Sequence, residues 1–200
     1  MICLLFGGPG SGKGTQAELL APMLQVPHVS TGELLREEGA AGSELGARVA
    51  PLLAAGELVP DELIEKVLER RLAAPDAAAG ALLDGYPRTL PQAEALDELL
   101  RAARRRIDVV LYLRADEQTL VARLLGRAGE EHRQDDNPES IGERLAEYRE
   151  LTKPVIERYH AEGVPVHEID ATGTVEQVHD RIVKVLDEVR KSGASARRRG

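Results

Sequence analysis

The chain has 200 residues, 42% of them hydrophobic, and a formal net charge of −8. The length suits one compact domain, the core must be aliphatic because Trp is absent and Phe occurs once, and the acidic balance argues against nonspecific nucleic-acid binding. The single cysteine, Cys3, excludes an internal disulfide, and no stretch has the length of a membrane span or the pattern of a signal peptide, so a cytoplasmic protein without a membrane partner is expected.

The first apolar run, Ile2 to Phe6, predicts a strand. It leads into GGPGSGKGT, residues 7–15, after which the pattern turns helical with Leu20, Met23 and Leu24 on one face. Strand, glycine-rich loop and helix N-terminus in that order make a phosphate cradle. Unpaired N–H groups and the helix dipole favour an anion there. Glycines let the backbone approach it, and Lys13 supplies a point charge to the outer phosphates. Gly7, four residues, then Gly12-Lys13 is the P-loop spacing, which points to a nucleoside triphosphate. The pattern usually continues with a Ser or Thr that reaches a metal; here it continues with Gly14, and Thr15 follows.

Residues 26–30 predict a second strand, and Ser30 and Glu33 after it fit a capping box. Thr31 and Arg36 then start a helix facing the ligand cleft. Residues 31–60 hold helical pieces without a strand, closing with Gly56-Glu57-Leu58-Val59-Pro60. A third strand, 81–84, ends in Asp84 and is followed by Gly85-Tyr86-Pro87-Arg88-Thr89 and then Gln92. Thr89 and Gln92 fit a capping box too, which is a structural alternative to a binding role for Gln92. Arg104, Arg105 and Arg106 read as solvated surface, as does Arg114 at the end of a fourth strand, 108–113. Residues 128–136 are polar and without apolar periodicity, with Arg127 just before them and Arg133 among them.

One long helical pattern runs from Asn137 to Tyr159, with Ile141, Leu145 and Tyr148 on its stripe, Asn137-Pro138 at its start and Pro154 as a kink. A fifth strand, 164–169, precedes a helix with Val175, Val178, Ile182, Val185, Leu186 and Val189 at three/four spacing. Residues 191–200 read as a basic, unstructured tail. The five histidines form neither an HExxH pattern nor a Cys/His cluster, so no zinc is expected. The alternation of strands and helices predicts an α/β fold, a parallel sheet covered on both faces. Such sheets bind ligands at the carboxyl ends of their strands, where these motifs lie.

The stretches GGPGSGKGTQ, STGELLRE, GELVPDE, LDGYPRT, RLLGR and RQDDNPESIGERL occur in the order found in adenylate kinases, and the chain resembles the short-lid form of that family from residue 2 to about residue 176. The Gly14-Thr15 departure from the general P-loop belongs to the family pattern. The resemblance implies a three-layer P-loop fold with a five-stranded parallel sheet. Its core would be residues 1–30, 60–126 and 137–190, with a helical insertion for the nucleoside monophosphate at 31–59 and a short lid at 127–136. It implies that Gly10, Ser11, Gly12, Lys13, Gly14 and Thr15 hold the ATP phosphates, with Arg123, Arg127 and the Gly173 backbone on the ATP side. Thr31, Arg36, Glu57, Leu58, Val59, Gly85, Tyr86, Pro87, Arg88 and Gln92 would form the AMP site. Arg133 and Arg144 would reach the phosphates between the substrates, and Asp84 would orient Mg²⁺ through water. Lys13, Arg88, Arg123, Arg133 and Arg144 would carry the catalysis. The family expectation is a monomer that binds ATP, AMP and ADP.

Chemistry leads to the same demand for cations. Phosphoryl transfer needs in-line positioning and positive charge on the moving oxygens, so arginines must converge. No general base is needed, because the attacking phosphate oxygen is already ionised. Water competes as an acceptor, so a closing lid is expected. Thr31, whose hydroxyl can bond adenine, and Gln92, whose amide can read adenine's paired donor and acceptor, favour AMP over the pyrimidine acceptor of a UMP/CMP kinase, which stays open. A catalytically idle nucleotide-binding protein of this fold would be expected to have lost Lys13, Arg88 or a lid arginine, and all are present.

Overall fold

The structure, a computed structural model, describes residues 1–55, 59–131 and 138–197, with the backbone alone at residues 55, 127–131, 138–139 and 192–197. Five strands form one parallel sheet: β1 (Ile2–Gly7), β2 (His28–Ser30), β3 (Ala81–Asp84), β4 (Ile107–Arg114) and β5 (Val166–Asp170), in the spatial order β2-β3-β1-β4-β5. Every ladder is parallel, so all five carboxyl ends lie along one edge. The register sets Asp84 beside both Leu5 and Ser30. The third strand therefore ends level with the start of the glycine-rich loop.

Alternation along the strands explains the three layers. Ile2, Leu4, Phe6, Leu83 and Val110 pack on one face against α4 (Asp61–Leu72), α5 (Leu90–Ala102) and α8 (Lys153–Ala161), through Leu68, Leu96 and Ile156 among others. Cys3, Leu5, Leu82 and Leu111 pack on the other against α1 (Lys13–Leu24) and α9 (Val175–Arg197), through Leu20, Ile182 and Leu186. Each such side chain, fully buried, contributes about 1.5–3 kcal/mol. The buried sulfur of Cys3 is free of any disulfide, and burial pushes its thiol pKa up.

Between β2 and β3 the chain leaves the sheet. α2 (Thr31–Ala40) and α3 (Glu44–Ala55) pack on α4 around Leu35, Val49, Leu63 and Val67, a small core separate from the two sheet faces. α6 (Glu117–Glu131) and α7 (Pro138–Glu147) enclose another around Leu120, Leu124, Ile141 and Leu145.

Three expectations change. The helix expected from Asn137 to Tyr159 is not uniformly α: the described residues run on helically from Pro138 to Ala161, but a π-helical turn, Tyr148–Thr152, separates α7 from α8, and Pro154 follows it in the first turn of α8. Ser30 is the N-cap of α2, but its side chain makes no capping bond. The basic tail continues α9 as far as Arg197. Asn137 and residues 198–200 lie outside the described residues. Among the described residues no helix is long and apolar enough to cross a membrane.

Candidate active site

The loop between β1 and α1 is held by its own backbone. The Ser11 N–H donates to Gly8 O at 3.1 Å, and the first helical bond runs from the Gln16 N–H to Gly12 O at 3.0 Å. The N–H groups of Lys13, Gly14 and Thr15 precede that bond, as the first-turn donors of a helix must. Gly12 caps the helix at φ 86° with no side-chain cap, which leaves the N-terminus to an anion. Gly10 has φ 81°, and a Cβ there would lie 2.7 Å from Leu120 O; only glycine lets the loop pass so close under α6. Lys13 Nζ donates to Gly7 O at 2.7 Å and Gly8 O at 3.0 Å, lying across the loop. The Ser11 hydroxyl is buried against Gly7 and has no hydrogen-bond partner among the described residues.

The segment after β3 builds the facing wall. Gly85 takes φ 77°, and a Cβ there would lie 3.5 Å from Arg88 Nη2 and 4.0 Å from Thr31 Oγ1. Thr31, Gly85 and Arg88 therefore meet at one point. Arg88 is exposed at its guanidinium but tied at three atoms: its N–H donates to Gln92 Oε1 at 2.7 Å, its Nε donates to Gly85 O at 2.9 Å, and its carbonyl accepts from Thr152 Oγ1 at 3.1 Å. Tyr86 and Pro87, joined by a cis peptide bond, are buried. The Tyr86 hydroxyl donates to Gln92 O at 3.2 Å. Thr89 is the N-cap of α5 and accepts from the Gln92 N–H. The reciprocal half of the capping box shifts by one residue, since the Gln92 side chain bonds Arg88 N rather than Thr89 N. Arg36 is exposed on α2, its guanidinium close over Gly32, and Val59 packs on the small core of the excursion.

Both walls meet in a cavity of about 120 Å³ lined by Lys13, Gly85, Arg88, Arg144, Tyr148 and Thr152 among others. Three cations from three elements thus face one space, although Lys13 and Arg88 are 75 positions apart in sequence (88 − 13). Arg144 comes from the last turn of α7, and Tyr148 and Thr152 from the π-helical turn. Burial pushes the Tyr148 phenol pKa up, so the ring stays neutral against Gly8. A π-helical turn adds a residue per turn and re-aims the side chains around it, and here it brings Thr152 to Arg88.

A second opening, of about 280 Å³, lies on the other side of the loop between Gly12, Thr15, Arg123, Gly173 and Thr174. Arg123 Nη2 donates to Gly173 O at 3.3 Å. Gln16, 2% exposed, ties α1 to α9: its Nε2 donates to Val175 O at 2.9 Å and its Oε1 lies 3.2 Å from His179 Nδ1. Asp84 Oδ2 points at the loop, 3.9 Å from where a Cβ on Gly14 would stand. His28 Nε2 is 3.4 Å away, and the carboxylate raises the imidazole pKa against the opposing effect of burial. Among the described residues no group of three His, Cys, Asp or Glu gathers. A single carboxylate, already shared with His28, is too few ligands for a metal held by the protein alone, and fits a cation held mainly by phosphates and water.

Glu57, Leu58 and Arg133 lie outside the described residues, as does the side chain of Arg127. Of the remaining residues singled out above, Lys13, Gly85, Pro87, Arg88 and Arg144 line the first cavity, and Gly10, Ser11, Gly12, Thr15, Arg123 and Gly173 the second. Thr31 adjoins the first through Gly85 and Arg88. Tyr86 and Gln92 stand behind it, bonded to the Arg88 segment. Gln16, Asp61 and Thr152 are bonding residues of the structure to which the sequence pattern assigns no role. The Thr152-Lys153-Pro154 helix start was a usable signal for the last; no local pattern marked the other two.

A family model described as "Adenylate kinase" matches residues 5–164. The chain is 47% identical over 186 residues to the adenylate kinase of Xanthomonas euvesicatoria pv. vesicatoria (strain 85-10), covering 93% of this chain and 99% of that protein. It is 46% identical over 186 residues to the adenylate kinase of Thermobifida fusca (strain YX), covering 93% and 98%. With that of Phenylobacterium zucineum (strain HLK1) it shares 46% over 178 residues, covering 89% and 93%.

Proposed function

The chain belongs to the adenylate kinase family, an enzyme that moves a phosphoryl group reversibly from ATP to AMP to give two ADP, and on that premise we propose how its residues divide the task. The observation that carries the reading is the convergence of Lys13, Arg88 and Arg144 on one cavity between the glycine-rich loop and the segment after β3.

The donor lies along the glycine-rich loop. Its phosphates replace the loop carbonyls as the partner of Lys13 and meet the first N–H groups of α1, where dipole and unpaired donors both favour negative charge. Its base lies by Arg123 and the Gly173 backbone, with Arg127 alongside. AMP lies across the cavity: its phosphate faces Arg36 and Arg88, and its base faces Thr31, the Glu57–Val59 backbone and Gln92. Arg133 and Arg144 close on the phosphates between them. The transferring group passes in line from one phosphate to the other. The arginines neutralise charge on its equatorial oxygens, which is where this class of reaction draws its acceleration.

The family uses magnesium with ATP. Asp84 would orient Mg²⁺ through water, in the space that the missing side chain of Gly14 leaves open. The ion's charge there would offset that of the donor phosphates. Residues 127–136 act as the lid that excludes water, and residues 31–59 as the moving AMP-binding insertion. The rest of residues 1–190 is the core. The enzyme acts as a monomer, since all these groups belong to one chain, and a cytoplasmic location accords with its one free cysteine.

The test is a steady-state panel with AMP, CMP and UMP as acceptors. AMP should have the highest kcat/KM, and a higher value for CMP would overturn the base-reading roles of Thr31 and Gln92. Arg133→Ala should impair transfer more than ATP binding; equal losses in both would remove it from between the substrates.

A further inference from the structure

Gln92 is 7% exposed, and its carboxamide is held from two sides. Oε1 accepts from the Arg88 N–H at 2.7 Å, and Nε2 donates to Asp61 Oδ1 at 2.6 Å. A backbone N–H only donates and a carboxylate only accepts. Both contacts therefore select the same amide orientation. Turned by 180°, the amide would set donor against donor at Arg88 and acceptor against acceptor at Asp61. The partners come from different elements: Arg88 from the loop after β3, Asp61 from the first residue of α4, 31 positions away from Gln92 in sequence. Among the described residues, the hydrogen-bond partner of the Asp61 carboxylate is the Gln92 amide.

A carboxamide so held keeps one N–H and one oxygen lone pair, side by side, for a ligand. The pairing edge of adenine offers a donor, N6–H, beside an acceptor, N1. That of guanine offers the reverse, acceptor O6 beside donor N1–H. One orientation of the amide matches adenine, and the flipped one matches guanine. Resting on the reading that Gln92 meets the acceptor base, we propose that Asp61 is a specificity-determining positioning residue, holding the Gln92 carboxamide in the orientation that takes adenine and refuses guanine.

The test compares kcat/KM for AMP and GMP, at saturating ATP, in the wild-type enzyme, Asp61→Asn, Asp61→Ala and Gln92→Ala, with melting temperatures alongside. Asn matches Asp in shape but can turn its own amide to follow a flipped Gln92, so Asp61→Asn should lower the AMP-to-GMP ratio about tenfold or more, the loss of a charge-assisted hydrogen bond. KM for ATP should not change. In the Gln92→Ala background Asp61→Asn should leave the ratio unchanged. Asp61→Ala, which removes the acceptor outright, gives the same reading should the Asn variant fold poorly. A ratio within twofold of wild type, or AMP and GMP falling in parallel, would overturn the role of Asp61 while leaving that of Gln92 intact. A Gln92→Ala enzyme with unchanged KM for AMP would instead remove the reading beneath it.

Discussion

Replacing Arg88 by alanine separates catalysis from folding more cleanly than any other change at this site. Its guanidinium is exposed, and among the described residues its one side-chain bond runs from Nε to Gly85 O at 2.9 Å. Such a bond has a net worth of about 0.5–1.5 kcal/mol. The other two ties, Arg88 N–H to Gln92 Oε1 and Thr152 Oγ1 to Arg88 O, are made by the main chain and survive truncation. Stability should therefore fall by about 1 kcal/mol, a drop of roughly 2–4 °C in melting temperature for a domain of this size. The chemical loss is of another order. An arginine that acts on the transferring group is worth about 10³–10⁵ in rate, or roughly 4–7 kcal/mol. Steady-state kcat/KM in both directions, with urea unfolding of the same preparation, measures both quantities. Arg88→Lys should recover part of the loss, because it keeps the charge but not the planar fork. A tenfold or smaller loss for Arg88→Ala with the fold intact would refute Arg88 as a phosphate clamp.

Thr152→Val keeps the shape of the side chain but removes the donor to Arg88 O; we expect about 0.5–1.5 kcal/mol lost in chemical denaturation and a lower kcat, and an unchanged kcat would mean that Arg88 is positioned without it. Gly10→Ala places a methyl at φ 81° and 2.7 Å from Leu120 O; calorimetry should record about 1–3 kcal/mol of destabilisation, with a raised KM for ATP, and an unchanged Tm would contradict the close passage under α6. Glu65 has its pKa raised, first by burial and then by the carboxylates of Asp61, Glu62 and Glu98. Folding therefore takes up protons there, and its contribution to stability declines as pH rises from 4.5, the ordinary value, through the raised one. Melting temperatures of Glu65→Gln measured from pH 4 to 7 should gain on wild type as pH rises, and parallel curves would remove Glu65 as a contributor.

Much of the fold was legible because its causes are local. Each strand is a short apolar run bounded by glycine, proline or a polar residue, and the structure places all five within two residues of expectation. The helix stripe ending at Val189 buries Val178, Ile182 and Leu186 as its spacing predicts. The π-helical turn was not legible, because Ile141, Leu145 and Tyr148 keep helical spacing right up to it and the extra residue is selected by packing against the loop after β3. Nor was the failure of the Ser30 capping bond, since the capping pattern states only that a bond is available.

The chemistry of the glycine-rich loop is written locally: strand, loop, lysine and helix start lie within 15 residues, and the conformations they need are properties of single residues and their neighbours. What Gln92 does with its amide depends instead on the packed fold. Its donors and acceptors are visible in the residue type, but their partners, Arg88 N–H on one side and the Asp61 carboxylate on the other, are brought together by the packing of α4 against α5. Hydrogen bonds are directional and saturable, so an amide's orientation is set by which groups reach it, and that is a matter of which distant segments the fold makes neighbours.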